Sequence, residues 1–356
     1  MKIAMIYQNI PAFDIHTHKE KGLGGSENGF LNTVRYLVKQ GHQVHVFNRL
    51  ETVRIDYGGG LLWSNIAQFD PKEYFDVVYS LRHREPFQQD LNTKLKVLFL
   101  ADTESVGLGE DIRAGRIDLV ISVSHWQKEK IAKEEEIHDD HWLVSSNGVE
   151  VIDLPLVTKV PGRCIFMATP ERGLDNLLTV WPKIKSQVPF ASLHLYSSFM
   201  GWGHTAEENE EMVRGIYTKV ESLRDLDVVN FKHANSEIAR DAQRQADLYL
   251  YPSDFYETCG MAILESMLWG TIPVVSGRAA LLEKVLNKVT GYVVPTYGSS
   301  NQRYQDKFVE QTVRALLLNE ETKKRMRLNC QTYAMQFSYD NLVTEWTSEW
   351  QRRIAN

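Results

Sequence analysis

Short apolar runs alternate with longer stretches of helical periodicity along almost the whole chain, and this alternation constrains the fold more than any other feature. Strands are expected at Ile3–Tyr7, Gln43–Phe47, Asp76–Ser80, Lys96–Leu100 and Leu119–Val123. Between the first two lies Glu27–Lys39, with Phe30, Leu31, Val34, Leu37 and Val38 at helical spacing and Gly41 as a stop. Strands separated by helices imply βαβ units and a mostly parallel sheet. The pattern breaks over Asp153–Gly162, which carries Pro155 and Pro161, and then restarts. Strands at Cys164–Ala168, Ser192–Tyr196, Val228–Lys232, Leu248–Tyr251 and Ile272–Val275 alternate with helices at Leu174–Lys185, Ala206–Leu223, Ser236–Ala246 and Gly260–Leu268. The expectation is two successive α/β sheets with a linker near residues 150–162. The last two helical patterns, Glu320–Met335 and Tyr339–Ile354, have no strand after them, and Trp346 and Trp350 share one face of the second.

Composition excludes several classes. A length of 356 residues suits about two domains, and 43% hydrophobic with 24% charged residues is ordinary for a globular chain. No apolar run approaches the ~20 residues of a membrane span, and the N-terminus lacks a signal-peptide pattern. Cys164, Cys259 and Cys330 are odd in number and far apart, which fits a reducing cytoplasm better than a disulfide framework. A net charge of −6 argues against general nucleic-acid binding. Residues 1–150 hold 17 basic against 22 acidic side chains, so at most weak membrane association is expected.

Some motifs invite chemistry that their context weakens. Gly22-x-Gly24-Gly25 precedes a helix but follows the first strand too late for a dinucleotide fingerprint. It still offers close backbone approach to a phosphate or sugar. Asp225-Leu226-Asp227 has the spacing of a metal-holding DxD, yet it precedes a strand instead of ending one. His138-Asp139-Asp140-His141 continues the charged run Lys133–Glu136 and reads as a solvated cluster leading into a strand. His16-Thr17-His18 lies in the long first loop, and Arg82-His83-Arg84 offers either a solvated loop or a grip on an anionic acceptor.

The strongest signal is FYETCGMAILESMLWGTIPVVS, residues 255–276. Glu257 precedes an apolar helix and Glu265 lies eight residues on. Between them the backbone N–H groups of Thr258, Cys259, Gly260 and Met261 stand at the helix N-terminus, where free donors and the dipole favour an anion. Ionised carboxylates beside such a site accept from sugar hydroxyls. An ordinary amphipathic helix with a charged cap has the same spacing. Thr169-Pro170-Glu171-Arg172-Gly173 follows a strand, where an arginine reaches the ligand crevice of an open α/β sheet and grips a diphosphate. A surface arginine in a loop reads the same way.

In chain order, Gly24-Gly25-Ser26-Glu27, the segment Ser124–Ile131, Asn147-Gly148-Val149, Pro170–Leu178, Leu248–Ser276 and Gly291–Pro295 together resemble the family 4 retaining glycosyltransferases, glycosyl transferases group 1, of GT-B fold. The resemblance implies an α/β fold of two Rossmann-like α/β/α domains facing a cleft, with a C-terminal helix crossing back to the first. It places an acceptor-side domain at 1–155 plus about 338–356, and a nucleotide-sugar domain at 156–337. It implies a hexosyl or related transfer, with retention, from a UDP- or GDP-type donor to a hydroxyl of a glycan or other acceptor, without metal or other cofactor. Glu257 would then meet the donor sugar, Thr169 and the backbone of Thr258–Met261 the sugar and diphosphate, Glu265 the ribose and Arg172 the diphosphate. Gly24 and Gly25 would close over it, and the loop His233–Ser236 would lie near the base. Two family features are missing: an early Gly-Arg is replaced by Ala168-Thr169, and the histidine expected after the Lys96–Leu100 strand is replaced by Ala101, followed by Asp102. Asp102 is the candidate to orient sugar or acceptor, although a turn cap has the same sequence. These gaps leave a second reading, a catalytically idle nucleotide-sugar-binding module.

Overall fold

The computed structural model describes residues 1–9, 12–16, 23–155, 157–197, 206–231, 234–296, 298 and 301–356. The chain divides into two compact units, Met1–Glu150 with Phe337–Asn356, and Val151–Gln336.

The first unit is built on a sheet whose described strands are β1 (Lys2–Ile6), β2 (Gln43–Asn48), β3 (Arg54–Gly58), β4 (Leu61–Asn65), β5 (Phe75–Leu81), β6 (Thr93–Phe99), β7 (Leu119–Ser122) and β8 (Trp142–Val144). Their order is β3-β4-β2-β1-β5-β6-β7-β8, parallel except for the β3–β4 pair. Central strands such as β1 and β7 are nearly continuous apolar runs because parallel strands are covered on both faces. Its helices are α1 (Gly25–Lys39), α2 (Leu108–Arg113) and α3 (His125–Glu135). Ser124 caps α3 by accepting from the Gln127 N–H. One core cluster gathers Phe47, Phe75, Phe87, Leu98 and Ile131. The β3–β4 hairpin is absent from the sequence reading. It turns through Gly58, Gly59 and Gly60, all at positive φ, which glycine adopts without steric penalty.

The second unit holds β9 (Arg163–Phe166), β10 (Ser192–Leu195), β11 (Val228–Asn230), β12 (Leu248–Tyr251), β13 (Ile272–Gly277) and β14 (Tyr292–Pro295), in the order β11-β10-β9-β12-β13-β14 and all parallel. The intervening helices are α4 (Leu174–Gln187), α5 (Ala206–Ser222), α6 (Ser236–Gln245), α7 (Met261–Leu268) and α8 (Leu281–Lys284), followed by α9 (Gln302–Leu316) and α10 (Glu320–Met335). The expected helix at Gly260 begins one residue later, because Gly260 is left-handed at φ 80° and serves as its N-cap.

The last helix, α11 (Tyr339–Ala355), belongs to the first unit. Trp346 and Trp350 are fully buried there, with Trp346 beside Phe99 of β6 and Trp350 beside Tyr79 of β5. Among the described residues, no helix is long and apolar enough to cross a membrane.

Candidate functional site

In an open parallel sheet, ligands bind beyond the carboxyl ends of the strands where the strand order reverses. In the second unit the chain runs β9, β10, β11 outward on one side, then returns to place β12 against the other edge of β9. The loops that leave β9 and β12 therefore meet, and they carry Arg172 and Glu257.

The β9 loop makes a 3-10 turn over Pro170–Arg172, with Thr169 before it and Gly173 after it. Gly173 sits at φ 109°, and a Cβ there would lie 2.5 Å from the carbonyl oxygen of Pro252. Glycine thus lets the two loops touch. Arg172 Nη1 donates to Glu257 Oε1 at 2.7 Å, and its guanidinium lies 4.0 Å from the Phe255 ring centroid. Both partners are largely buried, with side-chain exposures of 18% and 10%. Burial alone would lower the Arg172 pKa, but the adjacent Glu257 charge outweighs it and holds the guanidinium above its usual value. The Tyr251 hydroxyl donates to the same oxygen of Glu257, and burial followed by that carboxylate's charge pushes the phenol pKa well up.

The remaining candidates of this unit lie along the next segment. The Thr169 hydroxyl donates to Glu171. Glu257 is followed by Thr258, by Cys259 with its side chain buried, and by Gly260 and Met261 at the start of α7. The Gly260 carbonyl accepts from Ile263 and Leu264 at 3.1 and 3.2 Å. Glu265 is half-buried on α7, and Gln243 Nε2 reaches it at 3.4 Å. Two groups escaped the sequence reading. Tyr251 is the last residue of a strand whose LYLY pattern reads as core. Arg278 follows β13 as Arg172 follows β9, donates to the Asp254 carbonyl at 2.6 Å and lies 4.7 Å from the Tyr256 ring centroid. The strand-end position that singles out Arg172 would also have found it. Lys232 and His233 lie outside the described residues; Asn235 in the same loop caps α6 by accepting from Ile238 at 2.9 Å.

In the first unit the order reverses between β1 and β5, which gathers Tyr7, Asn9, Arg82 and His83. His83 Nε2 and Asn9 Oδ1 are 2.6 Å apart, and burial lowers the His83 pKa. Asp102, beyond β6, pairs with Arg82 at 2.9 Å, and its carbonyl accepts from the buried Gln127 side chain at 2.7 Å. Arg82 holds a left-handed φ of 67°, a strained conformation for a non-glycine residue. Arg84 pairs with Asp111 and donates to the Val106 carbonyl. The basic cluster that offered a grip on an anion is thus committed to ion pairs: residues adjacent in sequence turn to different acids. Gly24 and Gly25 begin α1, Gly24 as its N-cap. The Glu27 carboxylate, which accepts from Tyr7 Oη, fills the space beside Gly24 where a Cβ would meet it at 2.4 Å. Gly22, Thr17 and His18 lie outside the described residues, while His16 rests 5.5 Å from the Tyr57 ring centroid.

The two tempting metal motifs are bound up with lysines. Asp227 takes an ion pair from Lys185, and Asp139 one from Lys128 at 2.6 Å. Among the described residues, no group of three His, Cys, Asp or Glu side chains is placed to hold a metal.

Residues 166–333 match the model of the family described as glycosyl transferases group 1. The second unit is a glycosyl transferases group 1 domain. Over 140 residues the chain is 29% identical to a glycogen synthase of Thermodesulfovibrio yellowstonii, and over 143 residues 26% identical to one of Clostridium kluyveri. Each match takes in 39% of this chain and about a quarter of the relative, 24% and 27%. Solved structures align along nearly the whole length. Sucrose-phosphate synthase from Thermosynechococcus elongatus gives a TM-score of 0.70 at 15% identity, covering 99% of both chains. A Rickettsia africae glycosyltransferase gives 0.72 at 12%, covering 100% of this chain and 99% of the other. Anabaena HepE, solved with UDP and glucose, gives 0.69 at 14%, covering 99% and 100%. At such identities the likeness speaks for the fold, and the fold is GT-B. In this glycosyltransferase domain the matched residues contain both Arg172 and Glu257.

Proposed function

We propose that this chain is a retaining glycosyltransferase that moves a sugar from a UDP- or GDP-type nucleotide sugar to a hydroxyl of a glycan or other acceptor. The observation that carries the reading is the buried Arg172–Glu257 pair at the strand-order reversal of the glycosyltransferase domain. A carboxylate there suits sugar hydroxyls, and a cation there suits a diphosphate that gains charge as it leaves. Glu265 and the backbone of Thr258–Met261 extend the donor site along α7, with Thr169 on the facing loop. The solved likeness to a protein that holds UDP and glucose supports a uridine donor.

Residues 156–337 form the donor side in this reading, and 1–155 with about 338–356 the acceptor side. Asp102, paired with Arg82, orients the acceptor hydroxyl. The leaving diphosphate takes the acceptor's proton on the face it departs from, so configuration is retained and no strong protein base is needed. Charge stabilisation by Arg172 then takes the place of a metal.

The test follows release of nucleoside diphosphate from UDP-, GDP- and ADP-sugars, with and without EDTA, and reads the anomeric configuration of the product by NMR. Wild-type protein is expected to turn over at least one donor in EDTA. Arg172→Ala is expected to lose about 10²–10³ in turnover while the fold survives, the usual effect of removing one transition-state partner. Near wild-type turnover in that variant would remove Arg172 from the mechanism. Binding without turnover by the wild type would favour an idle module.

A further inference from the structure

Tyr251 ends a strand in which every residue is buried, and it is itself only 2% exposed. A phenylalanine would fill nearly the same volume, and a buried hydroxyl is unfavourable unless bonded. Here it donates to Glu257 Oε1, six residues along the chain. Arg172 Nη1 donates to that same oxygen at 2.7 Å. Among the described residues no hydrogen bond falls on Oε2. Two donors on one oxygen fix the carboxylate plane and leave the second oxygen for a ligand hydroxyl.

The donors are fixed in turn. The Tyr251 ring is stacked with Phe166 at 6.0 Å and lies 6.2 Å from Tyr249, whose own hydroxyl donates to the Met167 carbonyl at 2.8 Å. The Arg172 guanidinium rests on Phe255. The loop behind Glu257 is tied as well, since its carbonyl accepts from Ala280 N at 3.1 Å. Ala279, next to it, has a left-handed φ of 50°. A strained non-glycine residue is retained where the surroundings over-determine it.

We propose that Tyr251 is a positioning residue of the donor-sugar site: with Arg172 it fixes Glu257 through Oε1, so that sugar recognition and turnover depend on it while nucleotide affinity does not. The proposal rests on the transferase reading above and adds a chemical prediction to it: Tyr251 acts through Glu257, the acceptor of its hydroxyl, with Arg172 alongside.

The experiment compares wild type, Tyr251→Phe, Glu257→Gln and the double variant. Each is measured for binding of the nucleoside diphosphate alone and for turnover of whichever UDP-, GDP- or ADP-sugar the wild type uses best. Tyr251→Phe is expected to bind the nucleoside diphosphate within about twofold of wild type and to lose about tenfold to a hundredfold in turnover, the usual weight of a hydrogen bond to a charged group. In the Glu257→Gln background the same change is expected to cost nothing further. Losses that multiply in the double variant would overturn the proposal, as would unchanged turnover in Tyr251→Phe or nucleotide binding that falls in step with turnover. Glu257→Gln reads the pair from its other side if Tyr251→Phe unfolds. A wild type that turns over no donor would instead overturn the transferase reading.

Discussion

At the scale of single residues, Gly173 sets how closely the loops carrying Arg172 and Glu257 approach. Its φ of 109° and the Pro252 carbonyl 2.5 Å from any Cβ leave no room for a side chain. Gly173→Ala is therefore expected to destabilise the protein by about 1–3 kcal/mol, the range for backbone strain at a single position. It should also lower turnover by parting Arg172 from Glu257. Urea denaturation checks the first effect, and a loss below about 0.5 kcal/mol would show that the loops can move apart freely. Arg172 and Glu257 were legible in the sequence because one follows a strand and the other precedes an apolar helix. Their pairing was not, since it depends on β9 and β12 lying side by side across 85 residues of chain. Tyr251 was illegible for another reason: in an apolar strand its ring satisfies the pattern and hides the hydroxyl. The Arg82-His83-Arg84 segment left two readings open in the sequence, because the acids that its arginines pair with, Asp102 and Asp111, lie further along the chain.

At the scale of elements, most buried parallel strands read as apolar runs, whereas β3 alternates half-buried and exposed residues, and β4, although parallel to β2 and mostly buried, was missed with it. The segment around Lys159 shows how the second sheet is tied at the ends opposite the site. Asp247, fully buried just before β12, accepts from Lys323 and Arg327 of α10, each at 2.8 Å, and from the Gly162 N–H at 3.1 Å. Lys159 Nζ donates to Thr271 Oγ1 at 2.7 Å and to the Gln243 carbonyl at 3.1 Å. Burial, then the Arg327 charge, lower the Lys159 pKa to about 7. An unfolded lysine titrates near 10.4, so between about pH 7 and 10 the unfolded chain binds a proton that the folded chain lacks. Stability from this group therefore rises with pH across that window and is least below pH 7. Lys159→Met is expected to flatten this rise. Urea denaturation of both proteins from pH 6 to 9.5 checks it, and parallel curves would mean that Lys159 stays charged in the fold.

At the scale of the whole molecule, the first unit is assembled from both ends of the sequence. Val149 N donates to the Phe337 carbonyl at 2.8 Å, and Val149 pairs with Ser338 in an isolated parallel bridge. Gly148 lies under Tyr339, where a Cβ would come within 2.5 Å of the ring. Beyond this junction α11 lays Trp346 and Trp350 on β6 and β5, and Trp346 Nε1 donates to Ser145 Oγ at 2.7 Å. The first sheet thus completes its core only with residues 337–356, whereas the glycosyltransferase domain is one continuous stretch. Removing the Trp350 ring leaves a cavity against Tyr79, and Trp350→Ala is expected to cost about 3–5 kcal/mol. The loss should be local to the unit whose core is opened. Hydrogen exchange is expected to show faster amide exchange in β1, β5 and β6, with β9, β12 and β13 keeping their protection. Equal loss in both sheets would mean that the two cores unfold as one, and unchanged exchange in β5 would mean that α11 contributes little to the first.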